Sequence, residues 1–429
     1  MFGRNFLNEP TIETSVAELK KLLHQAVLDE FENEPERLFS TNLNSTLNSL
    51  CVDIPEIESG LLSEYQKTHL IQSVCDEVQG LGPIAELMID NDVSDILIND
   101  FDEIWVEKKG SLVRSSSRFD DPVHLRRFVD RLLENCGRQA STIKPIVDGK
   151  LPDGSRLHVV VPPACTQAAL VSIRKFSHKE VDERYLTESG YVDAAVMNFL
   201  KTAVTAGVNM VICGNAGAGK TTLLNVLANS ISAHERVITI EENIELQLHH
   251  EHVVQLETHM ANSEGQGGLS LRDLVKAALR MRADRIIVGE VRGIEVVDML
   301  QAMSCGHQGS ITTLHANSGV DALTRLGTLV QLNNQQLTDA HVNTLIGSSV
   351  QLIVHVTRDV NGRRQLRSVG EIVPIGQRYS YQTIFSSDGA ASMDSFNAQT
   401  SPTFNFVTQQ GFSLKDFIHF LEVEGECYG

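Results

Sequence analysis

The sequence is short of basic residues: 36 lysines and arginines stand against 55 aspartates and glutamates, a formal charge of −19. Such a balance repels a phosphate backbone, so nucleic acid is not an expected partner. Long apolar runs are missing too. No stretch approaches the roughly 18 apolar residues of a membrane span, and the opening MFGRNFLNEPTIETS has no apolar core of signal-peptide length. Attachment to a membrane is therefore expected to run through a partner. The cysteines, Cys51, Cys75, Cys136, Cys165, Cys213, Cys305 and Cys427, are odd in number and hold no CxxC pair. Neither a zinc cage nor a disulfide framework is indicated, which suits a reducing cytosol.

What is present is ordinary for a globular protein: 429 residues, 42% hydrophobic and 21% charged. A chain of that length exceeds one compact domain, so two folded units with connecting chain are expected. Residues 1–60 read as an appendage. Ser15 and Glu18 fit a capping box, and Val16, Leu19, Leu23, Val27 and Phe31 recur at helical spacing, so an amphipathic helix is expected over 15–31, followed by a flexible connection. Residues 61–177 mix short alternating strands (VSDILINDFDEIWVEKKGSLV, IVDGKLPDGSRLHVVVPP, ALVSIRKF) with one helix, DPVHLRRFVDRLLENCG, as in a small α+β domain. Residues 178–193 are polar with little apolar periodicity and are read as a linker. From 194 to 429 apolar strand-like runs alternate with helical patterns, the signature of an α/β domain with a parallel sheet. Residues 386–403 look like a mobile surface loop.

The sharpest local signal is VICGNAGAGKTTLL, where Gly214, Gly219, Lys220 and Thr221 satisfy G-x-x-x-x-G-K-[ST]. Small residues let Gly214, Asn215, Ala216, Gly217, Ala218 and Gly219 fold round a triphosphate with N–H groups inward, at the positive end of the following helix. Lys220 is expected to reach the β and γ phosphates of ATP, with Thr222 following in the same turn. Thr221 is expected to hold Mg²⁺. Hydrolysis also needs carboxylates for the attacking water and the metal. Two strand ends supply them: TIEENIEL carries Glu241 and Glu242, and IIVGEVRG carries Glu290, which would support Mg²⁺ partly through water. His315 ends a third strand, SITTLHA, and is placed to sense phosphate, although a lone histidine is more often structural. Arg156, Arg174, Arg280, Arg282, Arg285 and Arg292 are candidates to neutralise transferred charge.

In order and spacing, GNAGAGKTTLLN, TIEENIELQL, LRMRADRIIVGEVRG and AMSCGHQGSITTLHANS resemble the Walker A, Asp box, Walker B and His box of the type II/type IV secretion ATPases. VSDILIND, IWVEKKGSL, LPDGSRLHVVVPP and VSIRKF resemble the CpaF branch, the motor of tight-adherence (Tad/Flp) pilus assembly. The resemblance implies a RecA-like P-loop motor domain behind a smaller α+β domain, with ATP between the two. It also implies a hexameric ring at the cytoplasmic face of the inner membrane, beneath platform proteins that handle pilin. By the same resemblance Glu290 is the Walker B glutamate, Glu241 the Asp-box glutamate, His315 the His-box histidine and Arg174 the N-terminal-domain arginine, with Arg156 a weaker candidate. Glu242 stands where the Asp box usually has aspartate, and Asn215-Ala216 where Gly-Thr is common. The four-cysteine metal module of the type II branch is absent. A nucleotide-gated scaffold with little turnover and a conjugation-type secretion or DNA-transfer ATPase are the alternatives.

Overall fold

The computed structural model describes residues 43–54, 57, 62–78, 81–176, 181–259, 266–333, 337–359, 362–376, 378–387 and 397–421 except 416, with single positions between 19 and 30. The chain divides into two compact units, 1–178 and 179–429.

In the first unit the described positions between 19 and 30 are helical, and Leu19, Leu23 and Val27 are buried. They pack on α1 (Leu43–Asp53) and α2 (Glu64–Val78) through Leu47, Cys51, Leu70, Ile71 and Val74. The amphipathic stripe therefore docks on its own unit, while Ser15, Val16, Glu18 and Phe31 lie outside the described residues. Helix α1 occupies part of the stretch expected to be a flexible connection. Its polarity hid it, because only one narrow face, through Leu47 and Cys51, is apolar enough to anchor it.

After the short α3 (Ala85–Ile89) come the strands β1 (Val93–Asp100), β2 (Glu103–Lys108) and β3 (Ser111–Arg114), joined as hairpins. Helix α4 (Pro122–Asn135) begins at Asp121, whose side chain accepts from the His124 N–H, with proline in its first turn. Strands β4 (Ile146–Lys150), β5 (Arg156–Val160) and β6 (Leu170–Arg174) complete an antiparallel sheet of order β3-β2-β1-β6-β5-β4. One face is buried under Leu125, Phe128, Val129, Leu132 and Leu133 of α4.

The second unit opens on α5 (Glu183–Glu188), capped by Asp182, and on Leu186, Tyr191 and Val192, all buried in that unit's core. Much of the stretch read as a linker is thus folded. Its few apolar residues fall at the points of contact and leave no periodic pattern to read. Then follow α6 (Ala194–Ala206), β7 (Met210–Gly214), α7 (Lys220–Ala228), β8 (Val237–Glu241), β9 (Val253–Glu257), α8 (Leu271–Ala278), β10 (Arg285–Val288), α9 (Glu295–Ser304), β11 (Ile311–Leu314), α10 (Gly319–Asn333) and α11 (Asp339–Ser349). Strands β12 (Leu352–Arg358), β13 (Arg364–Ile375) and β14 (Arg378–Ser386) precede α12 (Pro402–Gln409).

The sheet order is β14-β13-β12-β7-β11-β10-β8-β9, parallel from β12 to β9 and antiparallel at β13 and β14. Strand β7 is buried on both faces, as parallel strands between two helical layers are. Met210 and Ile212 join the core with α6, α7 and α12, whereas Val211 and Cys213 face α8 to α11. Of the expected loop at 386–403, residues 388–396 lie outside the described ones. Its end is ordered, since Ser401 caps α12 and Thr403 is buried.

Candidate functional site

The phosphate-loop sequence lies between β7 and α7, at the carboxyl edge of the parallel strands. Gly219 has φ +91° at the start of α7, a conformation that a side chain would strain. Gly214 is glycine for a different reason: a Cβ there would lie 2.2 Å from the carbonyl oxygen of Val356 on the neighbouring β12. Lys220 is buried, and its Nζ donates to the carbonyl oxygens of Gly214 (3.1 Å) and Asn215 (3.2 Å), folding the amine back into the loop. Thr221 and Thr222 follow in the first turn of α7, both partly exposed.

From Lys220 a polar chain crosses the strand ends. Its Nζ lies 3.2 Å from His315 Nδ1, just beyond β11, and His315 Nε2 lies 3.0 Å from Glu290 Oε1, just beyond β10. Arg292 then donates to Glu290 Oε2 at 2.7 Å and to Glu242 Oε2, just beyond β8, at 3.0 Å. Glu295 holds the turn that carries this arginine by accepting from the backbone N–H groups of Arg292 (2.6 Å) and Gly293 (2.7 Å). Glu290 Oε1 is buried, and the polar group beside it is the His315 ring nitrogen at 3.0 Å, a close contact without good hydrogen-bond geometry. Burial pushes the His315 pKa down, and Lys220 and Arg292 add to that against the opposing pull of Glu290, so the ring is neutral at neutral pH. The paired carboxyl groups raise the Arg292 pKa, with its hydrogen bond to Glu290 as the largest cause.

Glu241 stands apart from this chain. It is buried at the end of β8, and its Oε1 accepts from the N–H groups of Glu245 (3.1 Å) and Leu246 (3.2 Å), shaping the loop after the strand. Arg285 is buried in a two-pronged pair with Glu235, at 2.9 Å for each bond, and Arg280 and Arg282 are exposed. Of the arginines in this segment, Arg292 reaches the site. Arg156 and Arg174 sit opposite one another on β5 and β6 of the first unit.

Three residues outside every motif also touch the loop. Arg364 Nε donates to the Gly217 carbonyl at 2.8 Å, the Arg358 guanidinium lies against Gly217, and the Tyr191 hydroxyl lies 3.3 Å from the Gly219 carbonyl oxygen. No sequence spacing connects them to the loop: the strand order brings Arg358 and Arg364 there, and the Leu366 N–H of β13 holds the Tyr191 carbonyl beside it. A cavity of about 220 Å³ opens by the far end of α7, lined by Glu183, Lys201, Asn225, Asn229 and Gln247 among others, and takes in no residue of the phosphate loop. No helix among the described residues is long and apolar enough to cross a membrane.

Residues 77–393 match the family model described as type II/IV secretion system protein. The chain belongs to this family. Its relatives include a putative conjugal transfer protein of Mycobacterium tuberculosis, 37% identical over 324 residues, spanning 74% of this chain and 92% of that one. The type IV secretion system protein PtlH of Bordetella pertussis is 32% identical over 295 residues, 62% of this chain and 86% of its own. Among solved structures, the X-ray structure of the Legionella pneumophila ATPase DotB aligns with a TM-score of 0.51 at 18% identity, covering 80% of this chain and 87% of that one. That likeness supports the α/β fold of the second unit behind a smaller N-terminal unit. Within this type II/IV secretion protein the family match spans the phosphate loop and the acids, histidine and arginine gathered beside it.

Proposed function

We propose that the chain is a Mg²⁺-dependent P-loop ATPase, working as a homohexameric motor at the cytoplasmic face of the inner membrane. In this reading it powers assembly of a Tad/Flp-type pilus, of the CpaF kind, through membrane platform proteins. The observation that carries the reading is the continuous chain Lys220–His315–Glu290–Arg292–Glu242 at the ends of adjoining strands. The residues present fit the group they are read to hold: an amine folded onto loop carbonyls, a glycine-built cradle, and a carboxylate at the neighbouring strand end beside the His315 ring. Thr221 and Glu290 are the residues to hold Mg²⁺, which when bound neutralises phosphate charge as a Lewis acid.

On nucleotide binding Lys220 exchanges two carbonyl partners for phosphate oxygens. Glu290 orients the attacking water and draws its proton. Neutral His315 bridges the amine and this carboxylate, so the position of one is reported to the other. Arg292 holds Glu290 and Glu242 in one orientation, and Glu241 keeps the loop after β8 in place. Arg156 and Arg174 are assigned to charge neutralisation.

The test is the steady-state ATP hydrolysis rate per subunit across protein concentration. The rate is expected to climb and saturate as neighbouring subunits complete the sites. Lys220→Ala is expected to abolish nucleotide binding, and Glu290→Gln to bind nucleotide but turn over about 100-fold more slowly or worse. Nucleotide binding with negligible turnover at every concentration would instead favour the nucleotide-gated scaffold. The names of the relatives, a conjugal transfer protein and a type IV secretion system protein, favour a second reading, a conjugation-type secretion or DNA-transfer ATPase. The −19 charge opposes it, and tight, salt-sensitive binding of DNA to the purified protein would revive it.

A further inference from the structure

A loop that aims its N–H groups inward turns its carbonyl oxygens outward. Lys220 Nζ meets those of Gly214 and Asn215, and the Leu223 N–H meets that of Gly219 at 2.9 Å. A carbonyl oxygen has room for a second donor. Here two side chains from outside the motif also meet loop carbonyl oxygens. Arg364, the first residue of β13, gives its Nε–H to the Gly217 oxygen at 2.8 Å. Tyr191, whose ring is buried against Gly219, lays its hydroxyl 3.3 Å from the Gly219 oxygen and 3.5 Å from that of Ala218.

The two donors are tied to each other. The Leu366 N–H on β13 bonds the Tyr191 carbonyl at 2.6 Å, and the Arg363 guanidinium lies against Gly190. Arg358 and Arg364 face one another across the β12–β13 hairpin. Burial also raises the Tyr191 pKa, which keeps the hydroxyl a donor.

The peptides held from outside are those whose N–H groups belong to Ala218, Gly219 and Lys220. Within the loop the Ala218 N–H closes a turn onto Asn215 O at 3.2 Å, so the outer grip and the inner turn act on the same peptide. A cationic donor on a carbonyl also polarises that peptide and strengthens its N–H as a donor.

We propose that Arg364 and Tyr191 are positioning residues for the phosphate loop, gripping its carbonyl oxygens so that the loop is preset for phosphate before nucleotide arrives. This rests on the nucleotide-binding reading above, and its test separates the two.

In the full-length protein without nucleotide, amide hydrogen exchange is followed by mass spectrometry over a peptide spanning 212–222, for wild type, Tyr191→Phe, Arg364→Met, Arg364→Lys and the Tyr191→Phe/Arg364→Met double variant. Arg364 is exposed and Tyr191→Phe keeps the buried ring, so folding should survive, and the thermal midpoint checks it. The expected result is faster exchange in that peptide and not in α6 or α12. Affinity for MgADP, read by titration calorimetry, should fall about tenfold in Arg364→Met and further in the double variant, with Arg364→Lys partly restoring it. In turnover the loss should appear in KM, with kcat within about twofold, as expected when ground and transition states lose the same preset loop.

Unchanged loop exchange with affinity within twofold of wild type would overturn the proposal. So would exchange that rises across the whole unit together with a fall in the thermal midpoint, which marks a merely structural role. If wild type binds no MgADP but the variants still loosen the loop selectively, the grip stands and the nucleotide reading fails.

Discussion

At the scale of single residues, the site is held by contacts that tolerate little change. Gly214→Ala places a methyl group against the Val356 carbonyl of β12, a contact that can be relieved only by parting two central strands. A loss of about 2 kcal/mol or more is expected, read as a lowered denaturation midpoint, with weakened nucleotide binding. His315 gives a pH-dependent outcome. Its folded pKa lies below its ordinary value of about 6.5, so the unfolded chain takes up the proton first and acid favours unfolding. The stability that neutral His315 contributes is present above pH 6.5 and is lost as the pH falls from there toward the folded pKa. The thermal midpoint of wild type should therefore drop more steeply below pH 6.5 than that of His315→Asn, and parallel curves would refute it. The loop between β7 and α7 was legible in the sequence because the proposed phosphate cradle is local chemistry, needing glycine, lysine and threonine at fixed spacing. Glu241 and Glu242 were not separable that way. Adjacent in sequence, one turns inward to hold backbone N–H groups and the other outward to Arg292, a choice made by the loop that follows β8.

At the scale of elements, α12 shows how a helix end can depend on a distant strand. Glu371 on β13 is fully buried, and its Oε2 accepts from the Ser401 hydroxyl at 2.6 Å and the Thr403 N–H at 3.1 Å, while the Ser401 oxygen caps Phe404 N at 3.1 Å. Behind this cap, Phe404 packs beside Phe199, which stacks on Phe417 at 4.3 Å between ring centroids. Ser401→Ala removes both a helix cap and a donor to a buried carboxyl group, so a loss of about 2 to 4 kcal/mol is expected. Limited proteolysis should then cut near 397–409 first, and an unchanged cleavage pattern would count against the cap. The alternating strands and the helices of strong apolar periodicity were readable in advance, including β1 to β3, α4 and the phosphate helix α7. Helices α1 and α5 were not, because each exposes most of its surface and is secured at only a few residues, Leu47 and Cys51 in one and Leu186 in the other.

At the scale of the whole molecule, the parallel order of the second unit has a consequence for biosynthesis. Strand β7, which carries the phosphate loop, is paired with β11 on one side and β12 on the other. Met210 pairs with Leu352, about 140 residues later in the chain. At roughly 5–20 residues per second, a ribosome would deliver that partner some 7 to 30 seconds after β7 itself. Through that interval β7 has buried-type side chains on both faces and at least one unpaired edge, a state prone to association. A chain ending at Ser349 should consequently bind no nucleotide and collect in the insoluble fraction, and a soluble, nucleotide-binding product of that length would contradict this. The first unit waits less: β1 to β3 and β4 to β6 close as hairpins, and β1 meets β6 about 80 residues later, as Asp95 pairs with Arg174. The nascent protein thus passes through a period in which one unit is complete and the other holds its most hydrophobic strand open, so its yield in a cell should depend on chaperone supply more than on the stability of the finished fold.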